Sequence, residues 1–137
     1  MAHVNVKWIG EKQFVGVDSS KHAVLMSTQD ENNGTGMKPS ELLLVALAGC
    51  TSVDVVGILE KKRQDLRGLQ INVKGEQDEN PPWAYRRIEV EYVVTGRDIK
   101  EKAVADAIKI SEERYCSVAA TVRGVAEVVT SYRIVEV

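Results

Sequence analysis

Apolar and polar residues alternate from the start of the chain. Ala2, Val4, Val6 and Trp8 are separated by His3, Asn5 and Lys7, and a period of two marks a strand with one face covered. Gly10 interrupts the pattern. Residues 13–18 predict a second strand with Val15 and Val17 on one face, and residues 22–27 predict a third after the turn at Ser19-Ser-Lys. Two short turns between three strands predict an antiparallel meander.

Residues 28–38 are loop by composition, with a strong turn signal at Asn33-Gly34. Pro39 suits the first turn of a helix, where its missing N–H costs nothing, and Glu41 suits a helix N-terminus. A helix is predicted from there to about Arg63. Its first half, residues 42–49, is apolar on every side, so every face of it calls for cover. One layer of sheet covers one side only. A second subunit is the natural cover for the rest.

Leu69, Ile71 and Val73 alternate with polar residues and predict a fourth strand. Residues 76–84 form a polar loop. Residues 87–95 predict a fifth strand, with Ile88, Val90, Tyr92 and Val94 inward and Glu89 and Glu91 outward. A helix follows over about residues 99–115, where Val104, Ala107, Ile108, Ser111 and Tyr115 fall on one face. Residues 117–123 read as a short helical turn and residues 126–135 as a last strand. The order βββαββαβ is α+β rather than a doubly wound parallel sheet. With 137 residues the chain is read as one domain, residues 1–137.

Composition removes several function classes. The net charge is −2 and the basic residues are dispersed. The densest basic run, Lys61-Lys62-Arg63, falls at a helix end, where it complements the helix dipole. Aromatic residues are too scattered for a base-stacking platform, so no nucleic-acid partner is expected. The N-terminus has no signal-peptide core. The uncharged stretch between Glu41 and Asp54 falls short of the roughly 20 apolar residues of a bilayer span. The expectation is a cytoplasmic protein without a membrane partner. His3 and His22 show none of the paired spacings of a zinc site, and no cofactor is implied.

The candidate chemistry is sulfur. Cys50 sits in an almost charge-free stretch, flanked by Ala48, Gly49, Thr51 and Ser52, small side chains that leave room for another group to approach. Cys116 closes a helical pattern, with Arg114 two positions away; a nearby cation raises the thiolate fraction. Against this stands the ordinary role of cysteine as a small buried hydrophobe. In the cytosol stable structural disulfides are rare, and those that form tend to be catalytic or redox-sensing.

Pro39-Ser-Glu-Leu-Leu-Leu-Val-Ala-Leu-Ala-Gly-Cys50-Thr, after a Gly-rich loop, resembles the first cysteine motif of the osmotically inducible protein C and organic hydroperoxide resistance family. Cys116-Ser-Val, after a helix and before a final strand, resembles the second. The spacing and the order of elements match along essentially the whole chain. The resemblance implies an OsmC-like fold, with antiparallel sheets wrapped around central helices in an intertwined homodimer. It implies a thiol-dependent peroxidase in which Cys50 attacks an organic hydroperoxide and becomes a sulfenic acid. Cys116 then closes a disulfide, and an external thiol reopens it. Apolar pocket walls (residues 42–47, Val53, Val55 and Val56) favour organic peroxides.

The chain also departs from the pattern. The resemblance places a supporting glutamate where this sequence has Ser40, while the acid is Glu41, turned by roughly 100° on a helix. It also implies an N-terminal arginine, and no arginine precedes Arg63. Ser40, Glu41 and Arg114 are the supporting candidates left. The alternative function is a non-catalytic dimer that binds a small hydrophobic ligand or acts as a redox switch.

Overall fold

The computed structural model describes residues 1–137, and the chain divides into two compact units, Met1–Leu43 and Leu44–Val137. The first unit carries a three-stranded meander, β1 (Asn5–Gly10), β2 (Gln13–Val17) and β3 (Ala23–Ser27), with both pairs antiparallel. The short turns dictate that pairing. The loop after β3 folds back on it: the Met37 N–H donates to the Leu25 carbonyl at 2.9 Å, and the Ser27 N–H to the Met37 carbonyl at 3.2 Å. Gly36 permits this approach, because a Cβ there would stand 2.7 Å from the Met26 carbonyl carbon. The first strand starts later than its alternation predicts, and Val4, Val6 and Trp8 lie exposed.

Helix α1 (Pro39–Lys61) begins in the first unit and continues through the second. The second unit adds β4 (Asp65–Gln77), β5 (Tyr85–Arg97), α2 (Glu101–Ile110), a π turn (Ser111–Tyr115), α3 (Ser117–Val122) and β6 (Glu127–Glu136). The order agrees with βββαββαβ, and the architecture is α+β. Strand β5 lies at the centre of its sheet, antiparallel to β4 and parallel to β6. That parallel pair departs from an all-antiparallel expectation. The chain leaves β5 through helices rather than a hairpin, and such a crossover returns a strand in the same direction.

The core of this unit is built from three rows. Ile88, Val90, Tyr92 and Val94 face inward from β5, each almost fully buried. Leu47, Thr51, Val55 and Leu59 recur every four residues on one side of α1, and Ala103, Val104, Ala107 and Ile108 face in from α2. Each large apolar side chain buried there contributes about 1.5–3 kcal/mol.

The other side of α1 is bare within the chain. Val45, Ala46, Gly49 and Val53 are exposed, Val53 by 74%. The sequence calls for cover on all faces of residues 42–49, and the chain's own layers supply it on one. By length and composition the 23-residue α1 could cross a membrane. Its buried row, and the bond of its Asp54 to Ser111, mark it as a core helix.

Candidate functional site

Cys116 is brought inward by a change of helical register. A continued α-helix after Ser111 would place Tyr115, four residues on, at the next inward position. Instead the Cys116 N–H donates to the Ser111 carbonyl at 2.8 Å, a step of five residues. This π turn inserts one residue. Tyr115 is consequently 63% exposed, against its sequence expectation, and Cys116 is 1% exposed. The backbone at Cys116 is extended (φ −81°, ψ 103°), and its sulfur caps α3 by accepting from the Ala119 N–H at 3.3 Å.

Cys50 comes from α1, one position before the buried Thr51, and is half-buried. Its side chain neighbours that of Cys116, and both cysteines are free thiols. Burial pushes the Cys116 thiol up to about 11, and the neighbouring Cys50 thiol adds to the rise, while the Ala119 N–H opposes it. Cys116 is therefore a neutral thiol at pH 7.

A line of polar groups runs from this pair. The Tyr92 hydroxyl of β5 lies near Thr51, the residue after Cys50, and donates to Glu112 Oε1 at 3.0 Å. Burial raises the Tyr92 pKa far above its ordinary value, and negative charge on Cys116 would raise it further. Burial also raises the Glu112 carboxyl, opposed by the bonds from Tyr92 and Arg123. Arg123, at the end of α3, donates to the Glu112 carbonyl at 2.8 Å and reaches Glu112 Oε2 at 3.4 Å. Its other side faces an open groove of about 640 Å³ shared with Lys109, Ser131 and Tyr132. No buried side-chain nitrogen or oxygen lacks a partner.

The structure brings the two cysteines together. Of the other sequence candidates, Arg114 and Ser40 are exposed, and Glu41 forms an exposed ion pair with Lys38 at 3.6 Å. Sequence reasoning passed over Tyr92, read as plain core and lying near Cys116, together with the Glu112 to which it donates and the Arg123 that reaches the same carboxylate. Tyr92 carried the one available signal, since a tyrosine at an inward strand position needs a partner for its hydroxyl. No three His, Cys, Asp or Glu residues gather as a metal-holding group.

The family described as OsmC-like protein matches residues 31–131. The chain belongs to the OsmC-like family. It is similar to Protein YhfA of Escherichia coli, 39% identical over 95% of this chain and 96% of that protein. A crystal structure of a hypothetical protein from Aquifex aeolicus VF5 superposes on this OsmC-like chain with a TM-score of 0.90. It is 33% identical and covers 100% of this chain and 98% of its own. The organic hydroperoxide resistance protein OhrB of Bacillus subtilis shares the fold, with a TM-score of 0.64. It is 16% identical over 97% of this chain and 98% of its own.

Proposed function

We propose that this OsmC-like protein is a thiol-dependent peroxidase that reduces organic hydroperoxides, acting in the cytoplasm against oxidative stress. The observation that carries this reading is the pairing of two free thiols, Cys50 and Cys116, from separate elements of one core. The fold shared with a hydroperoxide resistance protein supports it. In the first step the Cys50 thiolate attacks one peroxide oxygen. The S–O bond forms and the O–O bond breaks, leaving a sulfenic acid and an alcohol, the alkoxide having taken up a proton. Cys116 then closes the disulfide, and two equivalents of an external thiol restore both sulfhydryls by exchange.

The asymmetry between the sulfurs supports the assignment of roles. Cys116 is sealed in and neutral, unsuited to meet a peroxide but in place to meet a neighbour's sulfenic acid. Cys50 is the more accessible of the two. The exposed α1 row at Val45, Ala46, Gly49 and Val53 fits cover by a second copy. One OsmC-like domain, residues 1–137, in a homodimer is therefore part of the reading.

Free-thiol titration before and after one equivalent of an organic hydroperoxide tests it. Two thiols lost per chain, with alcohol formed, is the expected result. Retention of both thiols overturns it in favour of a dimer that binds a hydrophobic ligand without chemistry.

A further inference from the structure

Cys116 lies between two short helical pieces, and Arg123 ties the far end of the second back to the first. Its guanidinium donates to the Glu112 carbonyl at 2.8 Å and reaches the Glu112 carboxylate at 3.4 Å, while Tyr92 holds the other carboxylate oxygen from β5 at 3.0 Å. The segment bearing Cys116 is thus closed on itself and anchored to the central strand. We propose that Tyr92, Glu112 and Arg123 are positioning residues that hold Cys116 against Cys50 for disulfide closure. The proposal rests on the thiol-peroxidase reading for its oxidant, and concerns only the second step.

The reasoning is one of cost and geometry. The Glu112 side chain is 10% exposed and that of Arg123 36%. Taking such a pair out of water gains little stability over apolar side chains of similar volume. Its effect here is orientation: the pair and the tyrosine bond fix the π turn whose last hydrogen bond sets Cys116. Disulfide closure is demanding of orientation, because the Cα atoms must come to about 4.4–6.8 Å with the S–S torsion near a right angle. In this step the Cys116 sulfur gives an electron pair to the Cys50 sulfur and the S–S bond forms. The S–O bond of the sulfenic acid breaks, and the hydroxyl leaves as water with the Cys116 proton. Misplacing a reacting group by about 1 Å costs up to about a hundredfold in rate.

The test separates the two steps in Arg123→Gln, Glu112→Gln and Arg123→Lys. Sulfenic acid formation on Cys50 is followed by a dimedone-type trap in a Cys116→Ser background. Closure is followed by thiol loss and mass, with organic hydroperoxide and separately with diamide, which takes two electrons from a dithiol. We expect trapping at the wild-type rate and closure slowed by about tenfold or more in Arg123→Gln. Arg123→Lys, which keeps the charge without the fork, should fall between. The potential of the Cys50–Cys116 couple in glutathione buffers should shift as well. If Arg123→Gln does not fold, Arg123→Lys carries the test, with closure slowed and trapping unchanged as the supporting result. Unchanged closure in folded variants, or equal slowing of both steps, overturns the proposal. So does failure of wild type to form the disulfide with diamide. Closure with diamide but no reaction with hydroperoxide overturns the function reading while leaving the positioning role standing.

Discussion

The hydroxyl of Ser111 donates to Asp54 Oδ2 at 2.9 Å, joining the π turn to α1. Asp54 lies one helical turn beyond Cys50. The carbonyl of the same Ser111 receives the Cys116 N–H. One residue therefore ties the helix of the first cysteine to the turn that sets the second. Ser111 is fully buried, so Ser111→Ala would leave the Asp54 carboxylate short of a partner. Losing a bond to a charged group costs about 1.5–3 kcal/mol. We expect the denaturant midpoint to fall accordingly, with slower disulfide closure. An unchanged midpoint would show the tie to be dispensable.

The two cysteines should respond differently to replacement. Cys50→Ser is expected to abolish hydroperoxide consumption, because a hydroxyl of ordinary pKa is a far poorer nucleophile than a thiolate. Cys116→Ser should still undergo the first oxidation and then over-oxidise at Cys50 under excess peroxide. Intact-mass spectra after graded peroxide read both outcomes. Equal resistance of the two variants would contradict the division of roles.

Most of the fold was legible in the sequence, because periodicity reports burial directly. The alternation in β5 identified Ile88, Val90, Tyr92 and Val94 as inward residues, and all four are buried. The all-apolar first half of α1 signalled a demand for cover beyond what one chain's layers provide. The site was only half legible. Its sulfurs are visible because cysteine is rare here, but the register shift at the π turn is not, since no local pattern marks an inserted residue. Extending the α periodicity from Ser111 gives Tyr115 the place that Cys116 occupies. The partnership of Glu112 with Arg123 depends on that same shift, so distance along the chain pointed to Arg114 instead.

Ionisation of Cys116 gives a pH test whose sign is fixed by its environment. Its pKa is raised from 9.0 to about 11 in the folded chain, by burial first and by Cys50 second. A raised pKa means that the unfolded chain loses its proton first. The stabilisation is complete below about pH 9 and is lost as the pH rises toward 11. Relative to Cys116→Ser, wild type should lose stability on the order of 2 kcal/mol across that window. Urea unfolding at several pH values reads the difference, and parallel curves would refute it.

Glu112 makes the corresponding test at acid pH. Burial raises its pKa above 4.5 despite Arg123 and Tyr92. Its contribution is fully present below the unfolded value and declines as the pH rises through the folded one. Glu112→Gln does not titrate. The stability of wild type relative to Glu112→Gln should therefore fall between pH 4 and neutrality. Thermal melts of both proteins across that range measure it; a rise in wild type relative to the variant would mean that Arg123 outweighs burial.

The bare side of α1 makes the last prediction. Val53 is 74% exposed and Val45 51%, with Ala46 and Gly49 also exposed beside them on the helix. Neither valine belongs to the core of its own chain. Val53→Glu should thus leave the internal packing of Leu47, Thr51, Val55 and Leu59 intact. A second copy seated on this face would meet a carboxylate that must be desolvated without a partner, which costs several kcal/mol. At micromolar concentration wild type should sediment as a dimer and Val53→Glu as a monomer or a much weaker dimer. The melting temperature of wild type should rise with protein concentration, because a partner that binds only the folded state stabilises it by mass action, while Val53→Glu should melt lower and largely lose that dependence. A wild-type protein that sediments as a stable monomer would place the cover of this helix elsewhere and remove the dimer from the functional reading.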